Sequence, residues 1–150
     1  MSKTLVGDVL LVVESSDAAV RAARYGIALA RQLASNVHAA FVVDTDTLRQ
    51  LLTGRILVRE EMEELETDLA QQGRKYLRMV EELGNEAGIK VQTHLLKGTW
   101  SQSVLGTARE VKADLLVMGG FTYSMTKRDL VSKQKQLVVD DAPCPVLFVR

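Results

Sequence analysis

Cysteine, proline and aromatic residues are scarce in this chain, and neither sign of charge is in excess. The one cysteine, Cys144, cannot form an internal disulfide, and with only two histidines no Cys/His set stands at the spacing of a structural zinc site. A reducing compartment is the expected setting. Two prolines and ten glycines in 150 residues, beside 47% apolar residues, exclude disorder and low complexity. Nineteen basic residues balance nineteen acidic ones, so nothing global draws the protein to nucleic acid or to anionic lipid. Long apolar runs are missing too. The run nearest the N-terminus, Val9 to Val13, falls far short of the roughly 18 residues that span a bilayer. The expectation is one cytoplasmic, soluble domain over residues 1–150, with neither a membrane nor a nucleic-acid partner.

Five short apolar runs are present: Val9 to Val13, Val37 to Val43, Val91 to Leu96, Leu115 to Met118 and Val146 to Val149. Three are nearly continuous, as in strands covered on both faces. The Val91 run alternates, with Gln92 and His94 between apolar neighbours, and reads as a strand nearer the edge. Between the runs lie helical patterns at Asp17 to Ala34, Val58 to Ala87, Ser101 to Lys112 and Thr126 to Val139, with Ser15 or Ser16 as the first N-cap and Gly88 stopping the second helix. The second pattern is regular enough to raise a coiled coil, but Gln72 interrupts its seam, and a covering helix is the better reading. Thr45 to Leu57 reads as the one long connection.

Strict alternation of strand and helix predicts an α/β fold: a single doubly wound, flavodoxin- or Rossmann-like sheet of five parallel strands with helices on both faces. Ligands in such folds sit beyond the carboxyl ends of the strands, where strand order reverses. Attention therefore falls on Glu14 to Asp17, Val42 to Asp46, Gly98 to Ser101 and Gly119 to Ser132.

Several chemistries are excluded at these turns. No glycine is followed by lysine, which removes the phosphate loop of nucleotide hydrolases. The turn after the first strand, Glu14-Ser15-Ser16-Asp17, has no glycine and so no room for a pyrophosphate against its backbone. Cys144 stands between Pro143 and Pro145 with no histidine nearby in sequence, and reads as a packing residue. His38 and His94 lie within two different strands and read as structural. The acidic run from Glu60 to Asp68 complements a helix N-terminus and faces water. Trp100, directly after the third strand, is either a packing residue or a lid over a ligand. No catalytic residue emerges.

The stretch Ala113-Asp114-Leu115-Leu116-Val117-Met118-Gly119, the acidic turn after the first strand, Val42-Val43-Asp44, Gly98 and the closing Ala142-Pro143-Cys144-Pro145-Val146 together resemble the universal stress protein family over the whole chain. ATP-holding members of that family carry Gly, two residues, Gly, nine residues, then Gly followed by Ser or Thr. Such glycines let backbone amides approach phosphates, and a helix N-terminus and hydroxyl complete the anion site. Here the first position is Gly119, but the others fall on Thr122, Ser132 and Lys133. The acidic residue that the resemblance places after the first strand is Glu14, a methylene longer than Asp, followed by Ser15; Val42 matches the position whose backbone faces adenine in those relatives, and Met118 completes the candidate crevice.

Two readings of this crevice follow. In the first, side chains at Thr122 and Ser132 fill the space of the phosphates, the ATP site is degenerate, and the protein is a non-catalytic regulator that acts through dimerisation and an unknown protein partner. In the second, hydroxyls and the cations Lys127, Arg128, Lys133 and Lys135 hold ATP, another adenine nucleotide or an anion by side chains, with slow hydrolysis as an option. The resemblance also implies a homodimer through the last strand, Val146 to Val149. That strand is expected at a sheet edge with only Arg150 after it.

Overall fold

The structure is a computed structural model. It describes residues 5–120 and 128–150, with side chains for 5–120 and 133–150. Among the described residues ten elements follow one another, with two successive helices between β2 and β3: β1 (Asp8–Val12), α1 (Asp17–Leu33), β2 (Asn36–Asp44), α2 (Thr45–Thr53), α3 (Arg59–Glu86), β3 (Val91–Gly98), α4 (Trp100–Glu110), β4 (Leu115–Gly119), α5 (Arg128–Asp141) and β5 (Val146–Val149). The strands form one parallel sheet in the order β3-β2-β1-β4-β5. The expected doubly wound fold is present, with the alternating β3 run at one edge and β5 at the other.

Side-chain alternation along the strands divides the core in two. Val9, Leu11, Val37, Ala39, Phe41 and Val117 point to the face covered by α1 and α3. Leu10, Val12, Ala40, Val42, Leu116 and Met118 point to the face covered by α4 and α5. Both faces being covered is why β1 and β4 read as unbroken apolar runs. The long helix α3 comes close to the sheet at Gly73, where a Cβ would collide with the Phe41 ring and with Leu95.

Thr45 to Leu57 is not a plain connection. Its first nine residues form α2, started by Asp44, whose Oδ1 accepts from the Thr47 amide at 3.1 Å and whose Oδ2 accepts from its hydroxyl at 3.0 Å. Leu48, Leu51 and Leu52 stand at the helical spacing that carries this signal, but only Leu48 is buried, so the apolar stripe is too short to stand out. The last helix is observed at Arg128–Asp141, two residues later at its C-terminus than its pattern suggests; Thr126 and Lys127 lie outside the described residues.

Candidate functional site

Strand order reverses between β1 and β4, so the crevice of this fold opens beyond Val12 and Gly119. On the β1 side the chain turns sharply, the Ser16 amide donating to the Glu14 carbonyl at 3.0 Å. Ser16 then caps α1, its Oγ accepting from the Ala19 amide at 3.1 Å. This turn holds the half-buried Glu14 side chain inward and leaves Ser15 exposed. On the β4 side the Gly120 amide donates to the Val149 carbonyl at 2.8 Å, which ties the strand end to β5.

Lys135 of α5 fills the space between these turns. Its Nζ donates to the Gly119 carbonyl at 3.0 Å and the Gly120 carbonyl at 3.4 Å, and lies 3.6 Å from Glu14 Oε2. The lysine side chain is 3% exposed and the glutamate 27%. Burial pushes the Glu14 carboxyl above its ordinary value, and the Lys135 ammonium opposes that shift by charge and by hydrogen bonding. A lysine at the face of a strand end is here a structural cation: it saturates backbone carbonyls that point out of the sheet and neutralises the acid on the neighbouring turn.

The residues singled out from sequence are thus distributed unevenly. Glu14 and Gly119 meet at the crevice through Lys135. Val42 and Met118 direct their side chains into the α4/α5 core, so only their backbones face outward toward the strand ends. Lys133 is exposed on α5. Thr122 and the Ser132 side chain lie outside the described residues, as do Lys127 and the Arg128 side chain. Lys135, grouped in sequence with the cations available to an anion, is instead committed to Glu14 and to two carbonyls. Trp100 opens α4 and packs against the second core, while the Ser101 amide donates to Gln134 Oε1 at 3.0 Å, joining the start of α4 to α5. Cys144 packs against that same core, and burial together with Asp114 pushes its thiol up, away from the thiolate.

A second polar cluster escaped the sequence reading. His38 on β2 and His94 on β3 sit side by side, Nδ1 to Nε2 at 3.3 Å, and His38 Nε2 lies 3.6 Å from Asp8 Oδ1 at the start of β1. With the Nε2 proton of His38 directed at Asp8, its Nδ1 accepts the proton on His94 Nε2. Burial, then the neighbouring His38, lower the His94 pKa below its ordinary value, while Glu110 works against them. Among the described residues, no group of three His, Cys, Asp or Glu side chains is arranged to hold a metal ion.

A parallel sheet of this order, with its acidic turn after β1 and its glycine at the end of β4, defines a doubly wound protein of the kind that places ligands at the β1/β4 switch point. Residues 6–150 match the universal stress protein family, and the chain belongs to it. A universal stress protein of Methanocaldococcus jannaschii is 28% identical over 99% of this chain and 84% of its own length. The universal stress protein UspA from Lactobacillus plantarum superposes with a TM-score of 0.76 at 24% identity, covering 97% of this chain and 98% of the other. The universal stress protein from Archaeoglobus fulgidus solved in complex with dAMP gives a TM-score of 0.64 at 18% identity, covering 99% of this chain and all of the other. Among the described residues no helix is long and apolar enough to cross a membrane.

Proposed function

We propose that this universal stress protein is a regulatory protein without catalytic turnover, that its adenine-nucleotide crevice is degenerate, and that it works as a homodimer presenting surfaces to a protein partner. The observation that carries the reading is Lys135, whose buried ammonium occupies the space between Glu14 and the Gly119 and Gly120 carbonyls. The replacement of three motif positions supports it: Thr122 and Ser132 put side chains where glycines would let phosphates reach backbone amides, and Lys133 removes the hydroxyl that follows. Dimerisation is supported by β5, an edge strand whose Val146, Leu147, Phe148 and Val149 are only half-buried within one chain.

Calorimetry with ATP tests the crevice. Wild type binds weakly or not at all, and the combined Thr122→Gly, Ser132→Gly and Lys133→Ser variant gains about tenfold, equivalent to about 1.4 kcal/mol. ATP retained by the wild-type protein through purification overturns the reading. The assembly is checked by light scattering: Phe148→Glu or Val146→Lys weakens the dimer, and a wild-type monomer at tens of micromolar refutes it.

A second reading is favoured by the dAMP complex of the Archaeoglobus relative. In it the crevice takes an adenine nucleotide with one phosphate rather than three, held by side chains. Titration with dAMP separates the two, because a monophosphate that binds where ATP does not identifies a crevice narrowed at its triphosphate end only.

A further inference from the structure

α1 and α3 cover the same face of the sheet, and between the C-terminal halves of the two helices runs an open groove of about 620 Å³. Its floor is apolar, built from Ile27 and Ala28 of α1 with Leu83 and Ala87 at the end of α3. Two of these are alanines, so a second backbone can come close. Arg24 and Arg31 stand along the α1 side, and Glu86 is the one acid lining the groove. Among the described residues neither guanidinium makes a hydrogen bond or ion pair.

Sequence explains the lack of partners. After Asp17, which stands four residues before Arg21, α1 holds no acid, so no carboxylate three or four residues away on the helix can neutralise Arg24 or Arg31. Exposed arginines flanking an apolar floor, with Tyr25 beside them 54% exposed, have the composition of residues that dominate protein interfaces. Arg24 and Arg31 are seven residues apart, two turns along one helix face, or about 10.5 Å. An amphipathic helix carrying acids seven residues apart beside an apolar stripe offers the complementary pattern.

We propose that the α1/α3 groove is the docking surface for an acidic amphipathic helix of a partner protein, whose apolar stripe lies on Ala28, Leu83 and Ala87 and whose carboxylates pair with Arg24 and Arg31. This names the partner surface of the regulatory reading and rests on it. The contact is small and open, so it forms a transient complex that salt weakens.

The probe is a synthetic 18-residue helical peptide with leucines at helical spacing and glutamates seven apart, titrated into the full chain by calorimetry at low and high salt. Binding at low salt is expected, reduced about tenfold or more by Arg24→Glu with Arg31→Glu, and regained on that variant by a peptide with lysines in place of the glutamates. Ala28→Trp, which fills the groove without changing charge, abolishes binding of both peptides. Both kinds of substitution fall at exposed positions, and thermal melts verify the fold. Absence of binding at millimolar peptide, or equal binding by wild type and the charge-reversed variant, overturns the proposal.

Cross-linking in cells separates this from the reading beneath it. Adducts with other proteins that form on wild type and vanish in the charge-reversed variant support the groove. Adducts equal on both leave the regulatory reading standing and remove the groove, as do adducts at Ala28 to a second copy of this chain. No adducts at all on wild type removes both.

Discussion

Glu14 and Lys135 meet beyond the carboxyl ends of β1 and β4, while Asp8, His38 and His94 form a line toward the amino ends of β1 and β2 that reaches across to β3. Both clusters place ionisable groups against a close-packed sheet, and both satisfy them, since among the described residues no buried side-chain polar atom lacks a partner. They differ in what holds the charge. At the crevice a cation is fixed by two carbonyls and an acid, and burial pushes the carboxyl of that acid up. At the other end two imidazoles share one contact, which works only while at least one of them stays neutral. One end of the sheet therefore carries an ion pair anchored on backbone carbonyls, and the other a pair of histidines in mutual contact.

The two ends should respond to pH with opposite sign. Glu14 has its folded-state pKa raised above 4.5, so the stability it contributes is full below that value and is lost as pH rises through the folded pKa. His94 has its folded-state pKa lowered below 6.5, so its contribution is present above 6.5 and is lost as pH falls through the folded pKa.

The largest effect that bears on this comparison is expected from Lys135→Met. It strands Glu14 in a partly buried site and removes the donor from the Gly119 and Gly120 carbonyls, and a loss of about 3 kcal/mol in denaturant unfolding is expected. Adding Glu14→Gln to that variant recovers part of the loss, because the unpaired carboxylate is gone; no recovery would mean that the carbonyls, not the ion pair, are what Lys135 holds. A smaller effect is expected from His94→Gln. Wild type loses stability between pH 7 and 5, and the variant loses less over that range. An unchanged pH slope would show that the histidine pair does not titrate. The smallest is Asn36→Ala, which removes an exposed 3.3 Å hydrogen bond to Asp8 Oδ1 and should cost about 0.5 kcal/mol or less. A larger cost would mean that Asn36 orients Asp8 toward His38.

Much of the fold is legible in the residues because both periodicities are strong. Val9 to Val13 and Leu115 to Met118 are apolar on every position, which only a strand covered on both faces requires, and α1 and α3 carry their apolar stripes over many turns. α2 is the exception, since nine residues with one buried leucine give too little pattern to distinguish a helix from a connection. The crevice is legible in part. Glu14 and Gly119 are marked by their places after β1 and in β4, but nothing local says that Lys135, on the following helix, turns inward while Lys133 faces water.

Local order in the chain thus decides where strands, helices and the switch point lie, because burial on one face or two leaves its period in the residues themselves. Partnership across elements is decided by the parallel register. Pairing Leu10 with His38 and Ala40 with His94 brings two imidazoles separated by 56 residues into contact, and the approach of α5 to the β1 turn carries Lys135 to Glu14. A charge or a ring has the same appearance in sequence whether it meets water or a buried partner, and only the packing of the sheet between its helices distinguishes the two.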